Sequence, residues 1–214
     1  MGLYKVVTLI YLRFYCSMQK KLIAEAVGTF TLALAVLSSL QMETSIIGTP
    51  VIAGLVLGLF VYTIGSVSGA HINPAVTLGL WSIGKIQVKD AVAYIVAQLL
   101  GALVAFGLVS TLIGNITMGM APESLPVFIA ETIGALIFGF GIAAVVHGKV
   151  ANDASGLVVG GSLLLGILLA AQFGSLGILN PAVALALGAL NLSYALGAII
   201  GMMLGMNLYK RFIA

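Results

Sequence analysis

The chain has 214 residues, of which 61% are hydrophobic and only 7% charged, and its mean hydropathy is +1.22. Soluble domains carry about 25% charged residues, so this composition excludes a soluble domain and indicates an integral membrane protein. The single Cys16 excludes an internal disulfide, and no Cys/His cluster has metal-ligand spacing. We therefore expect no cofactor and no metal, and no pairing of a nucleophile with a base suggests an enzyme.

Six apolar stretches are long enough to cross a bilayer, since a spanning helix needs roughly 20 apolar residues. They lie at about 22–41, 49–67, 91–113, 126–146, 156–172 and 193–208. Because they lack the polar/apolar alternation of a membrane barrel, they predict an all-α protein. Residues 1–17 precede them, and we interpret this N-terminal extension either as an interfacial segment or as a non-native addition before a start at Met18.

The basic residues that flank the spans all fall on one side of the membrane if the chain crosses six times. They are Lys20, Lys21, Lys85, Lys89, Lys149, Lys210 and Arg211. The opposite connections contain Glu43 and Glu123 and no Lys or Arg. The positive-inside rule then predicts cytoplasmic termini in a plasma or inner membrane. The net charge of +3 reflects this topology in the lipid bilayer and does not indicate a nucleic-acid partner.

The chain contains two copies of one unit. Glu25 stands in AEAVGTF and Glu131 in AETIGAL, 106 residues further on, and Asn73 and Asn180 each begin Asn-Pro-Ala-Val, 107 residues apart. The sequence predicts a single domain over 18–211, with repeat one at about 18–113 and repeat two at about 126–211. Three spans per unit make the second copy inverted, which places a pathway or binding site at the midplane.

The two Asn-Pro-Ala stretches are predicted to begin re-entrant half-helices. Only eleven residues separate Asn73 from Lys85, about 16 Å of helix, or half of a hydrocarbon core. The segment must therefore return to the side from which it came, with a helix from Pro74 to near Trp81. The second half-helix is predicted from Pro181 to about Gly188. Asn suits the N-cap and Pro the first helical position.

Both helix N-termini then point at the bilayer centre. If each Asn oxygen caps its helix, each amide NH₂ group is free to donate into the space between them, while backbone carbonyls of 68–72 and 175–179 accept. A central water that accepts from both amides points its hydrogens outward and breaks the chain along which a proton hops. The positive helix ends also repel cations. The sequence thus predicts a pore for neutral solutes.

These motifs resemble those of the aquaporin, or major intrinsic protein, family. The resemblance covers about residues 18–211 and rests on the two Glu motifs, on SGAHINPAVTLGLW at 68–81 and on the second Asn-Pro-Ala. The paired motifs that it identifies are Asn73, Pro74, Ala75 and Asn180, Pro181, Ala182. It implies six transmembrane helices plus two half-helices, one pore per subunit, a homotetramer, and passage of water, glycerol, urea or ammonia.

The resemblance also implies a selectivity filter near the outer mouth, in which an Arg usually follows the second Asn-Pro-Ala. Val183 stands there instead. The other filter positions fall on Ala53, Leu168 and Gly177. Without a guanidinium, an imidazole or a large ring, this filter should be wider and more apolar than a strict water filter. Solutes larger than water then become candidates, although an apolar filter can also slow water by dewetting.

Three titratable residues, two within predicted spans and one just before Asn73, carry competing interpretations. Glu25 and Glu131 are intramembrane carboxyl groups, which are functional candidates by default. We favour a scaffold role in which each accepts N–H groups of its own re-entrant loop. His71 is interpreted as ordering its loop rather than as a titrating gate. Two alternatives to a passive channel remain open: an ion- or proton-coupled carrier on the same inverted repeat, and a structural membrane protein with a closed pore.

Overall fold

The computed structural model describes residues 2–41, 47–114 and 121–214, with side chains from residue 17 onward. Within these ranges the secondary structure is helical. The helices are α1 (Gly2–Leu40), α2 (Thr49–Ser68), α3 (Pro74–Ser82), α4 (Val88–Ile113), α5 (Leu125–Val146), α6 (Ser155–Gln172), α7 (Pro181–Ala186) and α8 (Leu192–Phe212). A one-turn 3₁₀ helix at Asn152–Ala154 leads into α6.

Six helices in the described ranges are long and apolar enough to cross a membrane, as predicted. They are Ser17–Leu40 within α1, then α2, α4, α5, Asn152–Gln172 and α8. The α1 backbone continues as helix back to Gly2. The side chains of its first part, on which the two interpretations of residues 1–17 depend, lie outside the described residues, as does Glu43.

The two remaining helices, α3 and α7, are the half-helices. Helix α3 ends at Ser82, close to the prediction, and Gly84 follows with a φ of 80°. Helix α7 ends at Ala186, two residues earlier than predicted, because Gly188 adopts a φ of 65° that turns the chain. Both are too short to span a bilayer.

The helices pack as two related halves. In the first, α1 packs against α2 and α4, and in the second α5 packs against α6 and α8. Helix α2 of one half also packs against α6 of the other. The half-helices cross between the halves, since α3 contacts α8 as well as α4, and α7 contacts α4 and α1 as well as α8. The structure is therefore the inverted six-helix bundle with two re-entrant half-helices.

Glycines bring the spanning helices into backbone contact. A Cβ atom on Gly101 of α4 would lie 2.2 Å from the carbonyl oxygen of Ala26 in α1. In the second half, a Cβ on Gly205 of α8 would lie 2.1 Å from the carbonyl oxygen of Leu136 in α5. No side chain fits at these distances, so the bundle depends on these positions having none.

We expect Gly101→Ala to destabilise the fold by about 1–3 kcal/mol, because the added methyl group must push α1 and α4 apart. The matched control is Gly107→Ala on the same helix, where an added Cβ meets nothing within 4 Å. Thermal unfolding of both variants in detergent measures the difference. Equal unfolding temperatures for the two variants would contradict this packing.

Candidate functional site

The two asparagines of the Asn-Pro-Ala motifs cap the half-helices. The side-chain oxygen of Asn73 accepts the Ala75 N–H at 2.8 Å. That of Asn180 accepts the Ala182 N–H at 3.0 Å and the Val183 N–H at 3.4 Å. Both asparagines are buried. The caps fix the two amide groups at the point where the half-helices meet.

Each asparagine amide also binds the loop of the other repeat. Asn73 Nδ2 donates to the Leu179 carbonyl oxygen at 2.9 Å, and Asn180 Nδ2 donates to the Ile72 carbonyl oxygen at 3.1 Å. Each amide group therefore donates one N–H to the opposite loop, and its second N–H is available to another acceptor. From the sequence alone, both hydrogens of each amide are predicted to be free, and the structure differs because each loop presents a carbonyl oxygen to the opposite asparagine. These two hydrogen bonds, which we call the amide interlock, join the two re-entrant loops directly.

The carboxyl group of Glu25 holds the first re-entrant loop (residues 69–73). Its Oε1 accepts the Ser68 hydroxyl at 2.6 Å and the His71 N–H at 3.0 Å. Its Oε2 accepts the Ile72 N–H at 2.7 Å and the Gln98 amide at 2.8 Å. Four donors thus converge on one fully buried carboxyl group, which leaves no acceptor position for a solute.

The carboxyl group of Glu131 accepts hydrogen bonds from the second re-entrant loop (residues 173–180) in the same way. Its Oε1 accepts the Ser175 hydroxyl and, at 3.0 Å, the Ile178 N–H, while Oε2 accepts the Leu179 N–H at 2.8 Å. Glu131 is also fully buried. The two carboxyl groups therefore occupy equivalent places in the two repeats and bind backbone of their own half.

The held loops contain strained backbone. Ala70, Ile72 and Leu179 have positive φ values of 49°, 38° and 53°, although none of them is glycine. Such conformations cost roughly 1–3 kcal/mol each and persist only where the surroundings hold them. The N–H groups of Ile72 and Leu179 are among those that the carboxyl groups bind. The carboxyl bonds therefore help to maintain the strained turns that aim the asparagines.

Several polar residues of this network were missed in the sequence. Gln98 donates to both Glu25 and the Thr77 hydroxyl, and Tyr94 donates to the Ser68 carbonyl oxygen at 2.9 Å. Tyr194 accepts the Leu176 N–H at 3.2 Å. The available signal was their placement inside apolar spans, where a polar group needs a partner. His71 Nδ1 lies 3.1 Å from the Thr77 hydroxyl, a contact that joins the first re-entrant loop to α3.

An apolar cavity of about 300 Å³ leads from the start of α2 to the two asparagines. Three of the predicted filter residues line it: Ala53, Gly177 and Val183. The assignment of Leu168 is wrong, since its side chain is 45% exposed on the outer face of α6 and does not line the cavity. Ile167, one residue earlier and 8% exposed, lines the cavity instead. A one-residue step on a helix turns the side chain by about 100°.

The polar end of this cavity is formed by His71, Asn73 and Asn180. His71 also lines a second, polar crevice of about 230 Å³, together with Lys21, Lys85 and other residues of the basic side. Neither Glu25 nor Glu131 lines the cavity or the crevice. His71 thus belongs to the lining of both spaces.

We expect Glu131→Gln to lower solute passage roughly tenfold or more and to lower the unfolding temperature, because the amide NH₂ faces loop donors that it cannot accept. The control is Glu123→Gln, whose carboxyl oxygen accepts one exposed N–H, that of Leu192 at 3.2 Å. Vesicle permeability and thermal unfolding report the two effects. A Glu131→Gln variant with wild-type stability but altered proton coupling would indicate a relay instead of a scaffold.

Comparison with known proteins agrees with this architecture. The sequence model described as "Major intrinsic protein" matches residues 12–209. Nodulin-26 of Glycine max is 35% identical over 162 residues, which cover 70% of this chain, and the chain spans only 60% of that relative's length. Aquaporin Z of Rhodopseudomonas palustris is 31% identical over 168 residues, covering 68% of this chain and 70% of that protein.

A solved structure shows the same fold. The X-ray structure of the aquaglyceroporin from Plasmodium falciparum has a TM-score of 0.71 to this chain at 24% sequence identity. The similarity covers 92% of this chain and 97% of that chain. With the family match over most of the sequence and the paired half-helices in place, the chain belongs to the major intrinsic protein family and is a multi-pass integral membrane protein.

Proposed function

We propose that this protein is a passive transmembrane channel for water, small neutral solutes, or both. The observation that carries the proposal is the meeting of Asn73 and Asn180 at the end of an apolar cavity, each with one amide N–H left to donate. His71 lines both this cavity and the polar crevice on the basic side of the protein. The names of the relatives, aquaporin and aquaglyceroporin, support the same class of activity.

Exclusion of protons and cations follows from the two amides. A water molecule that accepts from both asparagines has no lone pair left for a proton from a neighbouring water. The helix N-termini that the asparagines cap add positive potential at the same point. Neutral solutes that accept hydrogen bonds can occupy the position, whereas a cation meets donors and partial positive charge.

The carboxyl groups give no support to the coupled-carrier alternative. A proton relay needs a titratable group that the transported species can reach. The carboxyl oxygens of Glu25 and Glu131 accept hydrogen bonds from loop donors, and neither residue lines the cavity. We therefore assign both to the scaffold, and the proposed activity is that of a channel and not of an enzyme.

We assign the selectivity filter to four residues, called the collar: Ala53, Ile167, Gly177 and Val183. They come from α2, α6, the second loop and α7, and all four line the apolar cavity. Gly177 packs directly on α6, where a Cβ would lie 2.7 Å from the Ile167 carbonyl oxygen. The collar has no charged and no hydrogen-bonding side chain.

For the topology, we propose cytoplasmic termini in a plasma or inner membrane. The basic ends of several helices lie together, since Lys210 donates to the Ile83 carbonyl oxygen at 3.0 Å and Lys85 to the Val146 carbonyl oxygen at 3.0 Å. The positive-inside rule assigns this face to the cytoplasm. A homotetramer is proposed from family membership alone, and the mass of the detergent-solubilised protein tests it.

Reconstituted vesicles test the channel proposal. Stopped-flow shrinkage in an impermeant osmolyte measures water, and re-swelling in glycerol, urea or an ammonia source measures solutes. We expect protein-dependent passage of at least one of them that is insensitive to an imposed pH gradient. Vesicles no leakier than protein-free ones would contradict the channel and leave a closed-pore structural protein, while gradient-dependent uptake would favour a carrier.

A substitution at the collar tests the filter assignment. We expect Val183→Arg to reduce glycerol passage several-fold relative to water, because the guanidinium narrows the cavity and restores donors for water. The measurement is the glycerol-to-water permeability ratio in matched vesicles. An unchanged ratio in a folded Val183→Arg protein would place the constriction elsewhere.

A further inference from the structure

The first repeat carries polar side chains beside its re-entrant loop that the second repeat lacks. The residue 107 positions after His71 is Ile178, and the one 107 positions after Thr77 is Ala184. The imidazole and the hydroxyl of the first repeat thus have apolar counterparts in the second. The two repeats share one backbone plan but differ in the polar groups around it.

Gln98 of α4 is the third such residue. Tyr94 and Tyr194 each bond backbone at the loop of their own half, and four residues after them stand Gln98 and Ala198. The second loop is nevertheless held, with a strained turn at Leu179 like that of the first loop. Holding a re-entrant loop therefore does not by itself require the three polar side chains.

The hydrogens of these side chains can be assigned from Glu25 outward. Its carboxyl group accepts from every partner, so Gln98 must present its amide nitrogen to Glu25 Oε2, which lies 2.8 Å away. The second hydrogen of that nitrogen goes to Thr77 Oγ1 at 2.9 Å. Gln98 Oε1 is buried without a partner among the described residues, but the opposite amide orientation would point this oxygen at the carboxyl group.

The Thr77 hydroxyl then determines which nitrogen of His71 carries the proton. Its oxygen lies 3.1 Å from the Asn73 carbonyl oxygen and 3.1 Å from His71 Nδ1. If its hydrogen pointed at Nδ1, the hydroxyl and carbonyl oxygens would face each other with no hydrogen between them. If the hydrogen points at the carbonyl oxygen, Oγ1 accepts from Gln98 and from Nδ1–H, and every contact is a hydrogen bond. The neutral imidazole therefore carries its proton on Nδ1 and a lone pair on Nε2.

Nε2 of His71 faces open space. It has no hydrogen-bond partner in the part of the chain that the structure describes. The enclosed side-chain atoms without a partner in that part are Gln98 Oε1 and Ser110 Oγ, and Nε2 is not one of them. Nε2 therefore reaches the space that His71 lines, which is the apolar cavity shared with the two asparagines or the polar crevice.

We infer that Gln98 and Thr77 are positioning residues that hold the proton of the His71 imidazole on Nδ1 and so give the solute path a fixed acceptor at Nε2. The inference rests on the proposed channel function and adds a residue to its site. Asn73 and Asn180 offer donors to a solute, and Nε2 offers an acceptor to the hydrogens of the same solute. The arrangement suits neutral solutes that both donate and accept hydrogen bonds, such as water, ammonia and amides.

Solid-state NMR of the protein with isotope-labelled histidine, in lipid vesicles, reads the tautomer directly. The chain has two histidines, so His147→Gln leaves the signals of His71 alone. In the wild type, His147 is an internal reference, since its Nδ1 lies 2.8 Å from the Ala143 carbonyl oxygen, which can only accept. We expect His71 to carry a proton on Nδ1 and none on Nε2. A proton on Nε2, in the other tautomer or in an imidazolium, would overturn the inference.

Thr77→Ala tests the positioning step, because it gives the first repeat the residue that the second has at this place, Ala184. Without an acceptor for Nδ1–H, we expect signals of both tautomers. We also expect whichever of water, urea and ammonia the wild type conducts to pass roughly threefold to tenfold more slowly, the effect of one hydrogen bond. Thr77→Ser keeps the hydroxyl and should restore both properties. If Thr77→Ala does not fold, Gln98→Ala, matched to Ala198, tests the same step.

A double variant separates positioning from a general effect on the fold. Once His71→Ile has removed the imidazole, Thr77→Ala should have no further effect on solute passage, because it acts only through that ring. A full second loss, or a wild-type spectrum in Thr77→Ala, would overturn the inference and leave the channel intact. Absence of protein-dependent passage of every solute would contradict the proposed function, whereas the spectrum reports the tautomer whatever the flux.

Discussion

The architecture depends on two buried carboxyl groups that bind backbone N–H groups where no bulk water can reach them. Irregular backbone at membrane depth leaves donors unsatisfied, at a cost of several kcal/mol each, unless the protein supplies acceptors. Glu25 and Glu131 supply these acceptors from equivalent positions on α1 and α5. Each carboxyl group thereby turns a short non-helical segment into a rigid part of the bundle.

The asparagine pair follows from that constraint. The strained turns at Ile72 and Leu179 are held through their N–H groups by the carboxyl groups and through their carbonyl oxygens by the opposite asparagine. The position of each amide is thus determined from both repeats at once. The close contact at Gly101 brings α1, which carries Glu25, against α4, whose Gln98 also binds that carboxyl group. The carboxyl groups, the strained turns and the two asparagine amides are therefore linked by one set of hydrogen bonds.

The six spans and the half-helices could be predicted, because they depend on the lengths of apolar stretches and on the number of residues between motifs. Run lengths gave the six spans, and the position of Lys85 required a half-helix after Asn73. The sequence could not give the amide interlock, which joins residues more than a hundred positions apart. It also misplaced Leu168 by one residue, because the family's spacing to the second Asn-Pro-Ala does not fix the rotation of α6 in this chain, where Ile167 faces the cavity.

The central claim is that the paired amides let neutral solutes pass while interrupting proton transfer. The most direct measurement is proton flux in vesicles that already show protein-dependent solute passage, with an entrapped pH-sensitive dye and a potassium gradient clamped by valinomycin. If the paired amides interrupt proton transfer, the proton flux equals that of protein-free vesicles. Proton flux that rises with the amount of protein, in step with solute passage, would contradict it.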